Sequence, residues 1–147
     1  TWEFTGGTAG ALGTYGTGCP TSVGIAFPTT TAVAKLGQNY TIDWMNLPAT
    51  TTDAYVGYGV YNALAFGVLP LPIDLGLIGY AGCDLWVSPD AVQLVPATGG
   101  MASSSLAIPN DNTLLNVSLY AQLLVPDPFA PNAVGGASVG ARSLIGN

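Results

Sequence analysis

Residues 117–125 read VSLYAQLLV and carry the clearest structural pattern in the chain. Every second residue of this stretch is apolar, as Val117, Leu119, Ala121, Leu123 and Val125 show. An apolar period of two residues is typical of a β-strand that turns one face to a hydrophobic core. The stretch therefore predicts a strand, and the sequence on both sides repeats the pattern in shorter form.

Shorter runs of alternating, β-branched or aromatic residues surround this strand. They lie at residues 22–27, 40–45, 54–61, 85–87, 91–95, 105–108 and 139–145. Turn sequences such as NLPATTTD, SPD and PDPFAPN separate the runs. Seven or eight short strands with this spacing predict an all-β fold, a two-layer antiparallel β-sandwich of immunoglobulin-like or jelly-roll-like type. One helical turn is predicted in PNDNTLLN, capped by Asn110 or Asp111.

The first eighteen residues, TWEFTGGTAGALGTYGTG, differ in composition from the rest of the chain. We interpret residues 1–18 as a flexible N-terminal extension rich in Gly and Thr, and residues 19–147 as the β-sandwich domain. Within the extension, Trp2 and Phe4 alternate with Thr and Glu, which predicts a short strand. This strand has two alternatives: it folds back on its own domain, or it adds to a sheet edge of a neighbouring subunit as a donor strand.

Charged residues make up only 7% of the chain, whereas apolar residues make up 49%. The basic residues are Lys35 and Arg142, histidine is absent, and the net charge is −6. Phosphate recognition needs several Lys or Arg side chains, so nucleic acid is excluded as a partner. An anionic membrane surface would repel the chain for the same reason. A surface with so few charges indicates that glycan or further subunits cover much of it.

Residues 54–73 carry no charge and have the nominal length of a membrane-spanning helix. Glycine and proline interrupt the stretch at Gly57, Gly59, Gly67, Pro70 and Pro72. Its first half is rich in Tyr and Val, which favour strands. We therefore predict a core strand followed by an irregular loop, and no membrane insertion.

Cys19 and Cys83 are the two cysteines of the chain. The low Lys content and the abundance of Thr, Ser and Gly favour a secreted protein, in which one disulfide closing a long loop is the expected state. A redox or metal role is the alternative, which the lack of a CxxC spacing and of histidine makes weak. We predict an extracellular or cell-surface location.

The segment LPLPIDLGLIGYAGCDLWVSPD at residues 69–90 is apolar but contains helix-breaking residues. Its prolines cannot donate ladder hydrogen bonds, and its glycines permit tight turns. We predict a buried crossover loop that Cys83 fixes to the following strand and that seals one end of the sandwich. Asp74 and Asp84 are expected to accept hydrogen bonds from loop amides.

Three stretches resemble a recurrent module of secreted bacterial proteins: YGTGCP at 15–20, the segment at 69–90, and IPNDNTLLNVSLYAQ at 108–122. That uncharacterised group shares a YGxGC start, an LPxDL…GxxGC segment and a PNxxxLxGxxxYxQ segment. The resemblance spans residues 15–146 and implies an exported β-domain with paired cysteines, but no activity. The chain departs from the pattern at Asn116, where glycine is usual, and in its aromatic TWEF start.

The residue types that common catalytic mechanisms need are largely missing. Without histidine the chain has no histidine-dependent triad and no zinc ligand set. Glycosidase chemistry needs only two carboxylates, so Asp43 with Asp53 and Asp84 with Asp90 are candidate pairs, although acids in turns more often accept backbone hydrogen bonds. Calcium could bind at residues 110–112, but the EF-hand spacing is absent. We predict no catalytic site, no metal and no cofactor.

We expect a non-catalytic secreted structural protein that self-associates into an extracellular filament or surface layer. In this hypothesis Trp2 and Phe4 join one subunit to the next by strand addition. The alternative is a monomeric glycan-binding or adhesive surface module, in which Trp44, Tyr58 and Trp86 contact a polysaccharide. Core packing is the competing interpretation of these three aromatic residues, because aromatic side chains dominate the interiors of small domains.

Overall fold

A computed structural model describes residues 12–30, 33–65 and 67–146, which form thirteen β-strands and two short turns of 3₁₀ helix. Strands β1 to β7 span Gly13–Tyr15, Phe27–Thr29, Asn39–Met45, Asp53–Gly59, Leu64–Ala65, Leu69–Pro70 and Ile73–Asp74. Strands β8 to β13 span Asp84–Leu85, Ala91–Thr98, Met101–Ala107, Ser118–Pro126, Gly135–Ala137 and Gly140–Leu144. The 3₁₀ turns lie at Leu75–Ile78 and Asn112–Leu114.

Nine strands form one continuous antiparallel sheet in the order β1-β13-β11-β4-β9-β10-β3-β2, with β12 attached to β11. The sheet folds over itself at the β9–β10 hairpin, whose two-residue turn Gly99-Gly100 has φ values of 62° and 83°. We call β1, β13, β11, β12, β4 and residues 91–96 of β9 layer 1, and β10, β3 and β2 layer 2. The predicted all-β fold with two antiparallel layers is confirmed.

On the side away from the β9–β10 hairpin, backbone hydrogen bonds join the two layers. The backbone N–H of Leu36 donates to Gly146, and that of Gly146 donates to Ala34, so the approach to β3 pairs with the chain that follows β13. The sheet is therefore nearly closed on this side, in the manner of a barrel. On the β9–β10 side the two strands separate after two residue pairs.

The core lies between the layers and follows the alternation seen in the sequence. Its buried side chains include Tyr40, Ile42, Trp44, Val56, Tyr58, Leu119, Leu123 and Val125. Ser104 accepts hydrogen bonds from the Trp44 indole N–H at 2.9 Å and the Tyr58 hydroxyl at 2.7 Å, which links the two layers. The Tyr40 hydroxyl pairs with that of Ser143. Burial raises the pKa of Tyr40 and of Tyr58 above the ordinary value of a phenol, so both side chains stay neutral.

The predicted disulfide between Cys19 and Cys83 is confirmed. Both cysteines are buried and form a second, smaller apolar cluster with Leu75, Tyr80 and Ala137. The bridge fixes the chain after β1 to the segment at residues 69–90. The helical turn predicted near residue 111 is also present, and the Asp111 side chain caps it by accepting from the Thr113 N–H.

The structure differs from the domain prediction at residues 13–15 and does not describe residues 1–11. Residues 13–15, which the sequence places in the extension, form β1 and pair with β13 of the main sheet. Three residues are too few to show an alternation, so this strand has no signature in the sequence. Trp2 and Phe4, with the rest of residues 1–11, lie outside the described residues.

The prediction that residues 69–90 form a buried loop is wrong for most of the segment. Leu77 is 88% exposed and Ile78 is 64% exposed, whereas Leu75, Tyr80 and Val87 are buried. The segment does not close an end of the sandwich because it lies across the outer face of layer 1. Its Asp74 carboxylate accepts from the Gly76 N–H at 2.8 Å, as expected. Among the described residues, no helix is long and apolar enough to cross a membrane.

Candidate functional site

The outer face of layer 1 carries two rows of side chains that cross three neighbouring strands. One row runs Leu124–Tyr55–Leu94 and the other Gln122–Gly57–Val92, through the paired strands β11, β4 and β9. Tyr55, Leu94 and Val92 are 45%, 60% and 61% exposed. We call Tyr55, Val92, Leu94 and Leu124 the apolar face. Three strands in register thus present large apolar side chains to the outside.

A groove of about 190 Å³ opens on this face. Its lining is almost entirely apolar and consists of Tyr55, Gly57, Leu75, Ile78, Leu85, Pro89, Val92, Gln122 and Leu124. Strands of layer 1 form the floor, and residues 75–89 form the wall. Because none of the described residues that line the groove is charged, apolar contact is the interaction that it offers.

Gln122 holds the wall of the groove onto the sheet. Its side-chain oxygen accepts from the backbone N–H of Trp86 at 2.8 Å. Its side-chain N–H groups donate to the backbone carbonyls of Asp84 at 2.9 Å and Ser138 at 3.0 Å. Gln122 itself is buried. All three bonds bind the amide to backbone, so Gln122 is a structural residue and its polar atoms are not available to a ligand.

The outer face of layer 2 combines polar pairs with exposed apolar side chains. Ser103 donates to the Asp43 carboxylate at 2.5 Å, and Thr41 donates to the Ser105 hydroxyl at 3.4 Å. These residues lie on β3 and β10 and point away from the core. The same face also carries Phe27 and Met101, which are 44% and 45% exposed, so both layers have exposed apolar side chains and the groove is what distinguishes layer 1.

The apolar face ends at a strand edge. β9 pairs with β10 only at Thr98↔Met101 and Ala97↔Ala102, although β10 continues to Ala107. Ala97 donates its N–H to Thr52 on the β4 side, so by alternation Pro96, Leu94 and Val92 direct their backbone groups away from β4. Pro96 has no N–H to donate, which ends the ladder to β10 at this point. We call the outward backbone of Val92 and Leu94 the β9 edge.

One side chain spans the space between β9 and β10. The Gln93 amide N–H donates to the Ser105 carbonyl at 2.9 Å. Ser105 lies beyond Ala102, the last residue of β10 that pairs with β9. In a continuous ladder a backbone N–H of β9 would donate to the Ser105 carbonyl. Gln93 thus replaces a ladder hydrogen bond across the separation of the two layers.

The predicted glycan contacts are mostly buried. Trp44 is 0% exposed and Tyr58 only 2%, so the proposal that they contact a polysaccharide is wrong, and core packing is their role. Trp86 is half-buried, and its indole N–H donates to the Thr17 carbonyl at 2.8 Å. The Trp86 ring meets that of Tyr15 edge to face at 6.3 Å. Trp86 therefore holds residues 15–17 against residues 84–90.

Tyr15 makes further contacts that hold these two segments together. Its hydroxyl donates to the Trp86 carbonyl at 2.7 Å, and its ring lies 5.7 Å from that of Tyr120. Burial, and then the neighbouring Tyr120, raise the pKa of the Tyr15 phenol far above its ordinary value. The phenol is therefore a permanent donor, and it serves the fold.

Three of the four carboxylates considered for catalysis have a local hydrogen-bond partner. Asp43 accepts from Ser103, Asp53 accepts from the Thr52 hydroxyl at 3.4 Å, and Asp90 accepts from the Ser88 hydroxyl at 2.7 Å. Gln122 binds Asp84 through its backbone carbonyl. Within residues 12–30, 33–65 and 67–146, no three His, Cys, Asp or Glu side chains gather where they could hold a metal ion.

Sequence reasoning did not find the groove or the β9 edge. The signal for the apolar face was present in residues 91–95, AVQLV, where both faces of the strand carry apolar side chains. A strand that is apolar on both faces is either covered on both sides or available for contact. Comparisons with protein-family models, with curated proteins and with solved structures found no match for this chain.

Proposed function

We propose that the protein is a non-catalytic extracellular structural subunit that associates with its own copies. The observation that carries this proposal is the apolar face of layer 1, which lies beside the β9 edge, where no strand of the described residues pairs with Val92 or Leu94 on the side away from β4. A monomeric domain ordinarily keeps such surface small, and contiguous apolar surface marks sites of protein contact.

The energetics favour contact through this face. Fully burying one Leu, Val or Tyr-sized side chain contributes about 1.5–3 kcal/mol. Tyr55, Val92 and Leu94 each retain roughly half of their exposure, so an interface that covers all three gains a few kcal/mol before the cost of association. Only 7% of the residues are charged, so few ionic groups oppose the approach of two copies.

An extracellular location is supported by the disulfide between Cys19 and Cys83. Structural disulfides persist in oxidising compartments. The shortage of lysine is consistent with a secreted protein whose surface is covered by neighbouring subunits. Secretion is accordingly part of the proposal.

The proposal is tested by light scattering and negative-stain microscopy of the purified protein over a range of concentrations. We expect assemblies that grow with concentration. Val92→Glu places a charge at the centre of the apolar face and should abolish them, because a buried unpaired carboxylate is costly. Met101→Glu is the matched control, since Met101 is 45% exposed and belongs to layer 2.

Two results would contradict the proposal. One is a monomer at every concentration, and the other is normal assembly of Val92→Glu. Saturable binding of a polysaccharide by that monomer would instead support the glycan-binding alternative. That alternative would then rest on the exposed Tyr55 and Tyr61 and on Trp86, since Trp44 and Tyr58 are buried.

A further inference from the structure

We propose that the β9 edge receives residues 1–5, TWEFT, of a second copy as an added strand. This inference rests on the proposed function and names the site through which the copies join. The occupant is a segment of this chain that lies outside the described residues, and the acceptor is formed by Val92, Leu94 and the groove beside them.

The first argument is the unsatisfied backbone of the edge. Among the described residues, the outward N–H and C=O groups of Val92 and Leu94 have no ladder partner, because β9 and β10 separate after two pairs. Packed sheets lie about 10 Å apart, twice the spacing of about 4.8 Å between neighbouring strands. One extended segment therefore fits beside β9 where the layers diverge, and its backbone would supply the missing hydrogen bonds.

The second argument is the match of side chains. An added strand extends the row Leu124–Tyr55–Leu94 and the row Gln122–Gly57–Val92 by one position each. These two positions are two residues apart on one strand and lie on the same face. Trp2 and Phe4 have this spacing. Their rings would cover Val92 and Leu94 and reach the groove, which is larger than a cavity of about 150 Å³ that binds benzene.

The third argument concerns the one charged residue of the segment. With Trp2 and Phe4 on the outer face, Glu3 points to the inner face, beside Gln93. The Gln93 amide N–H donates to the Ser105 carbonyl, and on addition of the strand it would donate to the Glu3 carboxylate instead. A backbone N–H of the added strand would then take over the Ser105 carbonyl. Glu3 is thus kept at the rim, where water can reach it.

The position of β1 favours a second copy over the same chain. Gly13 lies at the edge of layer 1 opposite β9, with β13, β11 and β4 between them. From Gly13 the chain runs back past Arg142 toward Leu144, which leads away from the rows that contain Val92 and Leu94. Eleven extended residues span at most about 40 Å. The distance from β1 to β9 is four strand spacings, about 19 Å, so it is the direction of the chain and not its length that favours a neighbour.

Disulfide trapping between variants that each carry one added cysteine tests this inference. Protein carrying Phe4→Cys is mixed with protein carrying Leu94→Cys or Val92→Cys, and the mixture is oxidised mildly. Directly opposed residues of paired strands have Cβ atoms about 4.5–5.5 Å apart, close enough for trapping. Val92 and Leu94 are exposed, so their replacement leaves the core intact, and the native cysteines are buried. Met101→Cys is the control partner.

We expect covalent dimers of Phe4→Cys with Leu94→Cys or Val92→Cys, in clear excess over those with Met101→Cys. Removing residues 1–11 should abolish assembly, and adding a TWEFT peptide to this truncated protein should protect the Val92 and Leu94 amides from hydrogen exchange. Equal trapping with Met101→Cys would overturn the inference, as would a cross-link within one chain of the Phe4→Cys/Leu94→Cys double variant.

The two proposals fail in different ways. If wild-type protein forms assemblies but the truncated protein does so equally well, the N-terminal strand is not the link and only this inference is lost. If wild-type protein remains monomeric, the proposed function is lost with it.

Discussion

Asp127 shows how a single buried carboxylate can organise two loops. It is 1% exposed and accepts from the Ser22 N–H at 2.7 Å and from the Phe129 N–H at 3.0 Å. Burial alone would raise the pKa of this carboxyl, but the hydrogen bonds to Ser22 and Phe129 outweigh it and hold the pKa below the ordinary value. The charged form therefore stabilises the fold.

Asp127→Asn removes this charge and leaves one of the two amides without its oxygen. We expect the free energy of unfolding at pH 7 to fall by about 1–3 kcal/mol, measured by urea denaturation. The folded pKa is lower than the unfolded value of about 3.9, so the contribution is complete above that pH and is lost as the pH falls further. Asp53→Asn, at an exposed position, is the control; an equal loss of stability there would contradict the argument.

Gly57 and Gly59 make a second comparison at this scale. A Cβ at Gly59 would lie 2.0 Å from the Ser88 carbonyl oxygen, whereas one at Gly57 would lie 3.4 Å from Pro89, an ordinary contact. We expect Gly59→Ala to lower the free energy of unfolding by about 1–3 kcal/mol through overpacking against backbone. Gly57→Ala should have little effect. Thermal unfolding of both variants checks this, and equal destabilisation would contradict it.

At the scale of elements, alternation predicted β11 and β3, and aromatic and β-branched composition predicted β4; each of these strands buries one face against the core. Neither signal predicted β1 or β12, whose three residues are too few for a pattern. The placement of residues 69–90, which rested on their apolar composition, was wrong. Apolar composition indicates that a segment tends to be covered, but not which of its residues are, and here only Leu75, Tyr80, Cys83, Val87 and Ser88 are buried.

The disulfide determines how firmly that segment is held. Cys19 and Cys83 are separated by 64 residues, and closing a loop of this length stabilises the folded state by about 4 kcal/mol in the chain-entropy account. We expect a Cys19→Ala/Cys83→Ala double variant to lose about this amount, measured by urea denaturation. Amide exchange should rise first in residues 75–90. A uniform rise across β3 and β11 would indicate that the bridge supports the whole core instead.

The whole molecule has an arrangement that local sequence could not reveal. Val92 and Leu94 lie in a run that reads as one strand, and nothing nearby indicates that β9 leaves layer 1 for layer 2 at Pro96. The groove needs residues from β4, β9, β11 and the segment at 75–89, which are brought together only by the fold. Such a site depends on pairing between distant strands, which a pattern along the chain does not encode.

Association through an apolar face has its own dependence on salt and temperature. Hydrophobic contact weakens on cooling and strengthens with sulfate, whereas contact between charges is screened by sodium chloride. The apolar face and groove carry no charged side chain, so we expect assemblies to persist in 1 M sodium chloride, grow with ammonium sulfate and shrink on cooling. Light scattering at matched protein concentration measures all three. Dissociation by sodium chloride would mean that ionic contacts, for which this chain offers only Lys35 and Arg142 as cations, hold the copies together.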